Sequence, residues 1–527
     1  MKNIFSAFYR SEKYFFLLIV LIHTVPLFTL KYFVTHDGPG HLYNSNLINS
    51  LLFDRESWVS SIFEFTPGIV PNWIGHLLLC VFNLIFDAPL AEKVFQLLYI
   101  FSFAYAFRLL VKSIPGTNIL ASWLCFPFIY SFTFHIGFYS FSIGLAILFA
   151  VLANYNGNYA IKTLRQFILM SLCMMGLYLS HLFVFASALL SIVFFIFWNS
   201  IVAGKNPFRR LIHDQSFRKD LGFVLLTFAV PFFLTLGFVV NHSSSSRMEL
   251  PEFKYVVEWF SDVRPLISLD YDSEKKYAKP LFIFYTLIFI SAVIKKIQTR
   301  KEKHVWLNTS GGWLVLSVIM IMFFFFLPDD LISGGVIGIR FCLLGYLFLF
   351  LFFAANGSKA MIALGVVASV VVSFLMIRGR YDSLRWLSET SKQYITCADK
   401  IEKGSTLLTV NYSDNWMLDN MATYIGAEKN ILVLDNYEAS QVHFPLRWKA
   451  GKNANGIIGP FATSRRPCLD LLAYRQIANV EVDYILLMEK PEVLDDSCSR
   501  DLQMQLGEHY KIIYAIPERH AELYKRQ

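Results

Sequence analysis

A chain of 527 residues that is 55% hydrophobic and 16% charged, with a mean hydropathy of +0.47, is too apolar and too poor in charge for an ordinary soluble protein. Its net charge of +8 comes from 47 Lys and Arg against 39 Asp and Glu. No basic stripe with interleaved stacking residues stands outside the loops, so a nucleic-acid partner is excluded and the charge reads as a positive-inside bias. The 52 Phe and 26 Tyr suit lipid-facing and interfacial surfaces of a polytopic membrane protein.

The first apolar run, 14 to 34, follows Lys2, Arg10 and Lys13, is too long for a signal peptide and lacks a small-residue cleavage site. It predicts a spanning helix with a cytoplasmic N-terminus. Directly after it comes Thr35-His36-Asp37-Gly38-Pro39-Gly40-His41-Leu42-Tyr43-Asn44, with an acid, two imidazoles and two glycines in ten positions. A carboxylate where a helix leaves the bilayer is costly to desolvate, which makes Asp37 a functional candidate against the plainer reading of a solvated Asp-Gly turn. Leu42, Leu47, Ile48, Leu51 and Leu52 then recur at helical spacing beside Asn44, Ser45, Asn46 and Asn49, the pattern of an amphipathic helix on the membrane surface.

Further apolar runs fall at 71 to 86, 93 to 111, 118 to 134, 137 to 155, 164 to 181, 182 to 203, 221 to 240, 280 to 297, 312 to 327, 338 to 355 and 359 to 377. Lys162 with Arg165, the basic stretch Lys205 to Lys219, Lys295-Lys296 to Lys303, and Lys359 mark cytoplasmic loops. Parity then requires an even number of crossings between Asp37 and His135. The run 71 to 86 is the shortest, below the roughly 20 residues a comfortable crossing needs, and as a re-entrant or surface segment it restores the parity. The result is a polytopic all-α membrane domain over 1 to 378 with about eleven transmembrane helices and a first external loop at 35 to 92. After it, 379 to 527 forms an extracytoplasmic α/β domain.

On this topology Asp37, His41, His135, Tyr139, His181 and Arg340 all come to the external ends of helices. Each has a plainer role: His181 as a local hydrogen-bonding group, Arg340 as a helix-end side chain snorkelling to lipid phosphate. Such a gathering of imidazole and ionic groups on one side nevertheless argues for a substrate there. The loop 242 to 278, with Glu249, Glu252, Glu258, Asp262, Arg264, Asp270, Asp272 and Glu274, reads either as a cover over that site or as a solvated hairpin. Beyond 380, Thr406 to Val410, Ile431 to Leu434 and Tyr484 to Leu487 read as strands, and 383 to 401 and 468 to 478 as helices. Trp416, Tyr437, His443, Arg447 and Trp448 are aromatic and charged groups there that suit sugar binding or core packing. The seven Cys show no CxxC spacing, and among Cys397, Cys468 and Cys498 export would permit one disulfide with one thiol left over.

This plan resembles the GT-C superfamily of polytopic glycosyltransferases, which use polyprenyl-phosphate-linked sugars. The resemblance rests on His36-Asp37-Gly38-Pro39-Gly40-His41, then on the His135 to Tyr139 segment and Gly338-Ile339-Arg340-Phe341. It implies that Asp37 is the catalytic or acceptor-activating carboxylate. Where many members carry an acid in the second external loop, this chain has His135 and Tyr139 and no carboxylate.

The chemistry also follows from the residues. Transfer from a lipid-phosphate sugar with inversion needs a carboxylate, Asp37, to deprotonate the acceptor hydroxyl, and cationic or donor groups, Arg340 and then His181, for the departing phosphate. His41, His135 and Tyr139 would contact substrate. No cofactor is demanded, and a divalent cation on His41, His135 and Asp37 is an option that their sequence separation weakens. The implied partners are a polyprenyl-phosphate-linked sugar donor, a glycan or lipid acceptor of the cell envelope, and membrane lipids. The implied location is a bacterial inner membrane with the C-terminal domain on the periplasmic or extracellular side. The rival classes are a transporter or flippase of lipid-linked sugars, which would want mid-membrane charges and an internal repeat, and a non-catalytic membrane scaffold.

Overall fold

The computed structural model describes residues 2–53, 55–157, 163–242, 252–298, 308–329, 335–458, 468–491 and 497–527, with side chains from residue 11 onward. The expectations placed on Lys162, Glu249 and Lys303 lie outside the described residues. The fold is mostly helical with a small C-terminal sheet region. Among the described residues nine helices are long and apolar enough to cross a membrane: Ser11–Thr29, Ala88–Ser113, Tyr139–Asn156, Leu182–Val202, Gln215–His242, Tyr271–Gln298, Thr309–Phe326, Ile337–Asn356 and Lys359–Lys400.

The difference from the expected count of about eleven lies in two runs. Leu164–Ser180 is a 17-residue helix, just short of a full span. The run 118 to 134 is a 3-10 helix, Ile119–Phe128, with Pro127 inside it, followed by the short helix Phe132–His135. Pro127 has no N–H to donate, so a continuous α-helix through this run is disfavoured. The run 71 to 86 yields only the 11-residue helix Trp73–Asn83, which at about 1.5 Å per residue reaches roughly half of a ~30 Å hydrocarbon core.

The chain divides into two compact units. The first holds Met1–Val25, Leu98–His135 and Ser140–Tyr381 and is built almost wholly of apolar helices. Within it Arg108 makes a two-pronged ion pair with Glu12, at 2.7 and 2.6 Å, and Trp123 Nε1 donates to the same carboxylate. The pair brings the start of the first helix beside the end of Ala88–Ser113, so both ends lie together.

The second unit holds Pro26–Leu97, Ile136–Tyr139 and Asp382–Gln527. The sequence places a boundary at 378/379. The helix Lys359–Ile395 runs through that point, and the C-terminal unit takes in the first loop as well. Its strands are β1 (Phe63–Phe65), β2 (Thr406–Asn411), β3 (Leu432–Val433), β4 (Leu446–Trp448), β5 (Tyr484–Met488), β6 (Tyr510–Ile516) and β7 (Ala521–Arg526). The five-stranded sheet has the order β3-β2-β5-β7-β6, with β2 parallel to β3 and β5, and β7 antiparallel to both of its neighbours. Strands β2 and β5 are buried along almost their whole length, which is why β5 reads as an unbroken apolar run and β2 as a mostly apolar one without strict alternation. β1 pairs with β4, so the first loop is stitched to the C-terminal segment by Phe63 opposite Trp448 and by the Glu64–Arg447 ion pair.

The helix Gly38–Phe53 corrects a sequence expectation. It is not a surface helix with one wet face, because twelve of its sixteen residues are buried, on all sides. Its polar face is occupied inside the unit: Asn44 exchanges hydrogen bonds with Asn436, Asn46 donates to the Ala427 carbonyl, Asn49 to that of Cys80, and Tyr43 OH to that of Ile431. Amides that suggest solvent in the sequence are satisfied by backbone and side chains instead. Cys468 and Cys498 form the disulfide, and Cys397 is the buried thiol left over.

Candidate functional site

Asp37 is the last residue before the helix Gly38–Phe53, where the positive end of the helix dipole favours a carboxylate. Thr35 Oγ1 accepts from the Gly38 N–H, and the Asp37 N–H donates to the Ile136 carbonyl at 2.8 Å. Two glycines make this approach possible. A Cβ on Gly38 would stand 2.6 Å from the Tyr139 hydroxyl, and one on Gly137, itself at φ +94°, would stand 2.8 Å from the Asp37 nitrogen. The Asp-Gly pair therefore serves close packing rather than a loose turn.

The Asp37 side chain is 11% exposed. Its Oδ1 lies 2.9 Å from His36 Nδ1 and accepts from Asn420 Nδ2 at 3.2 Å. His36 turns its other nitrogen toward Asp419 Oδ2 at 3.5 Å. Burial alone would lower the His36 pKa, but the Asp37 and Asp419 carboxylates outweigh it and hold the ring at about 9. At neutral pH an imidazolium thus sits between two carboxylates. The Tyr437 phenol is pushed well above its ordinary range by burial and by Asp37 and Glu438, which keeps it a neutral O–H.

His41, one turn into the helix, faces Glu438 through Nδ1 at 2.8 Å, and His76 faces the other oxygen of the same carboxylate through Nε2 at 2.9 Å. Burial would raise Glu438, yet the two imidazoles hold it at about 2; burial would lower His41, yet Glu438 raises it. Tyr139 donates to Glu92 Oε1 at 2.7 Å and accepts from Thr35 Oγ1 and Gln96 Nε2, while Tyr424 OH donates to Glu92 Oε2 at 2.8 Å.

Of the six residues singled out in the sequence, Asp37, His41 and Tyr139 come together in the second unit. The other three belong to the first. His181 caps the helix Leu182–Val202, its Nδ1 accepting from the Phe183 N–H, and its Nε2 lies 2.8 Å from Arg340 Nη1. Arg340 is 4% exposed and lies over the Phe141 ring, so it is not a side chain snorkelling to lipid. His135 is fully buried with Nε2 3.4 Å from Arg380, whose guanidinium also donates to the Tyr130 carbonyl and to Glu274. Two acids of the loop over 252 to 274 are engaged within the first unit: Asp262 with Lys275 and Tyr271, Glu274 with Arg380 and the Ser268 N–H.

Sequence reasoning missed His76, Glu92, Asp419, Asn420 and Glu438 as site residues. Three of them share one place in the fold. Asp419-Asn420 and Glu438 stand in the loops that leave the carboxyl ends of the parallel strands β2 and β3, and β2 is the strand where the order reverses, the usual place for a crevice in open α/β sheets. No carboxylate stands in the His135 to Tyr139 segment itself, but Glu92, Asp419 and Glu438 belong to the same unit as Asp37. No protein-family model matches the chain, and no curated protein matches it in sequence.

Proposed function

We propose that the chain is a multi-pass membrane glycosyltransferase of GT-C type that moves a sugar from a polyprenyl-phosphate carrier to an envelope glycan or lipid acceptor at the external membrane face, with Asp37 as the base. The observation that carries this reading is a preorganised carboxylate directly after the first apolar helix. Its Oδ1 is anchored by His36 and Asn420, and it sits at a helix N-terminus within a buried polar cluster. Anchoring one oxygen to His36 and Asn420 orients the other to take the acceptor's proton. The carrier phosphate leaves as an anion and needs a cationic or donor group to receive it. A donor of this kind needs no nucleotide site, and its tail stays in lipid.

Two further features support the external placement. The Cys468–Cys498 disulfide belongs to an oxidising compartment. The Glu12–Arg108 pair joins the start of the first helix to the end of Ala88–Ser113, so two crossings, and no third through 71 to 86, separate them.

The test is transfer from a polyprenyl-phosphate sugar by purified Asp37→Asn. The amide keeps the volume and an oxygen for His36, so a folded variant with kcat reduced by about 10²–10⁴-fold is expected. Transfer by the variant within about threefold of wild type would remove Asp37 from catalysis.

A further inference from the structure

Two helices and one loop of the second unit converge on a point the glycosyl-transfer reading does not use. His41 lies on Gly38–Phe53, His76 on Trp73–Asn83, and Glu438 opens the short turn after β3. All three are buried, at 6%, 2% and 1% exposure. The two imidazoles meet edge to face with centroids 5.1 Å apart, and Phe444 packs on both, at 5.7 and 5.6 Å. The donor atoms of the three residues lie within 4.8 Å of one another.

The ring nitrogens turned away from this point are both committed. His41 Nε2 lies 2.9 Å from the Gly137 carbonyl and His76 Nδ1 lies 3.1 Å from the Asn72 carbonyl. A carbonyl only accepts, so these two nitrogens carry protons, and the remaining nitrogen of each ring faces one carboxylate. In a neutral ring that nitrogen presents a lone pair, which is repelled by a carboxylate oxygen at under 3 Å. Positive charge must therefore sit at the convergence, either as a second proton on the rings or as one cation held by two nitrogens and an oxygen. The second arrangement is the one in which metal-binding histidines occur, with the outer N–H of each ring tied to a backbone carbonyl that fixes its tautomer and direction. The neighbourhood is also cleared for the carboxylate: a Cβ on Gly40 would stand 2.8 Å from Glu438 Oε1.

The geometry points to a divalent metal site made of His41 Nδ1, His76 Nε2 and the Glu438 carboxylate, of the borderline class for which Zn²⁺ is the natural ion. Two imidazoles with one carboxylate suit zinc over the hard cations Mg²⁺ and Ca²⁺, which prefer all-oxygen shells. Tetrahedral ligands at about 2.0–2.1 Å stand roughly 3.3 Å apart, so the pairs now at 2.8 Å to Oε1 and 2.9 Å to Oε2 need to open by about half an ångström, while the wider separations, all within 4.8 Å, need to close by up to about 1.5 Å. Three protein ligands leave a fourth position for water or a substrate oxygen. This site stands or falls independently of Asp37 as a base.

The experiment uses the full-length chain in detergent, stripped with a chelator and titrated with Zn²⁺ against a competing chelator, with bound metal counted by mass spectrometry. One equivalent per chain is expected, and Co²⁺ in its place should give the visible d–d bands of a low-coordinate site with nitrogen ligands. His76→Ala and Glu438→Gln should each weaken Zn²⁺ by at least about 100-fold. The Co²⁺ spectrum of the wild type keeps the test valid if a variant fails to fold. Absence of stoichiometric Zn²⁺ in folded wild type, a six-coordinate all-oxygen Co²⁺ spectrum, or equal affinity in folded variants would each overturn the site. None of these readouts depends on sugar transfer, so loss of activity in Asp37→Asn and loss of metal in the other variants are separate results.

Discussion

His36 lies between two carboxylates, with Nδ1 2.9 Å from Asp37 and Nε2 3.5 Å from Asp419, and its ring is 22% exposed. The folded chain holds its proton up to about pH 9, whereas an unfolded histidine releases it near about 6.5. A folded pKa raised above the unfolded one means that the stabilisation is complete below about 6.5. It shrinks as the pH rises and is gone above about 9. At about 1.4 kcal/mol per pKa unit the rise is worth on the order of 3 kcal/mol, lowered by solvent screening at the exposed edge of the ring. His36→Gln removes the titrating group while keeping a donor toward Asp37. Thermal melting of the detergent-solubilised chain between about pH 6 and pH 10 should show the wild type losing stability across the window of 6.5 to 9 while the variant stays flatter. Asp419→Asn should lower the upper edge of that window, because one of the two flanking charges is gone. Parallel pH profiles for wild type and His36→Gln would refute the ion triad.

Gly38→Ala should destabilise the second unit by about 1–3 kcal/mol, since its Cβ meets the Tyr139 hydroxyl, Thr35 Oγ1 and Glu92 Oε1. Gly176→Ala, whose Cβ has nothing within 4 Å, serves as the helical glycine control and should be neutral or stabilising by up to about 1 kcal/mol in the same melt. Cys468→Ser should cost the C-terminal unit about 3–4 kcal/mol, the loop-closure entropy of a 30-residue separation, and should also abolish the reductant-dependent mobility shift of the wild type on denaturing gels.

Much of the architecture was legible from local signals. Apolar runs of spanning length marked the long helices because a bilayer demands internal satisfaction of every backbone group, a constraint visible in composition. The buried parallel strands β2, β3 and β5 were legible as short, mostly apolar runs, and the stretch around Asp37 stood out because charged and imidazole groups are rare beside an apolar helix. The antiparallel strands β6 and β7 were not found. Lys511, Lys525 and Arg526 break their apolar character, and their place in the sheet depends on pairing with β5, which lies earlier in the chain.

What the sequence by itself determined was the apolar multi-helix class, the long helices, the α/β character of the C-terminal part and the unusual polar stretch at Asp37, because each follows from composition or from spacing along a few tens of residues. What only the tertiary structure decided was the company that position keeps. His36 is charged because Asp419 reaches it from 383 positions away, His41 finds Glu438 and His76 across two loops, and the polar helix Gly38–Phe53 is buried because amide partners from beyond residue 420 satisfy it. Hydrogen bonds and ion pairs act over a few ångströms of space and carry no trace in a linear pattern, so the sequence offered both a candidate site and a solvated turn for the same ten residues, and only the fold shows them close-packed and charged.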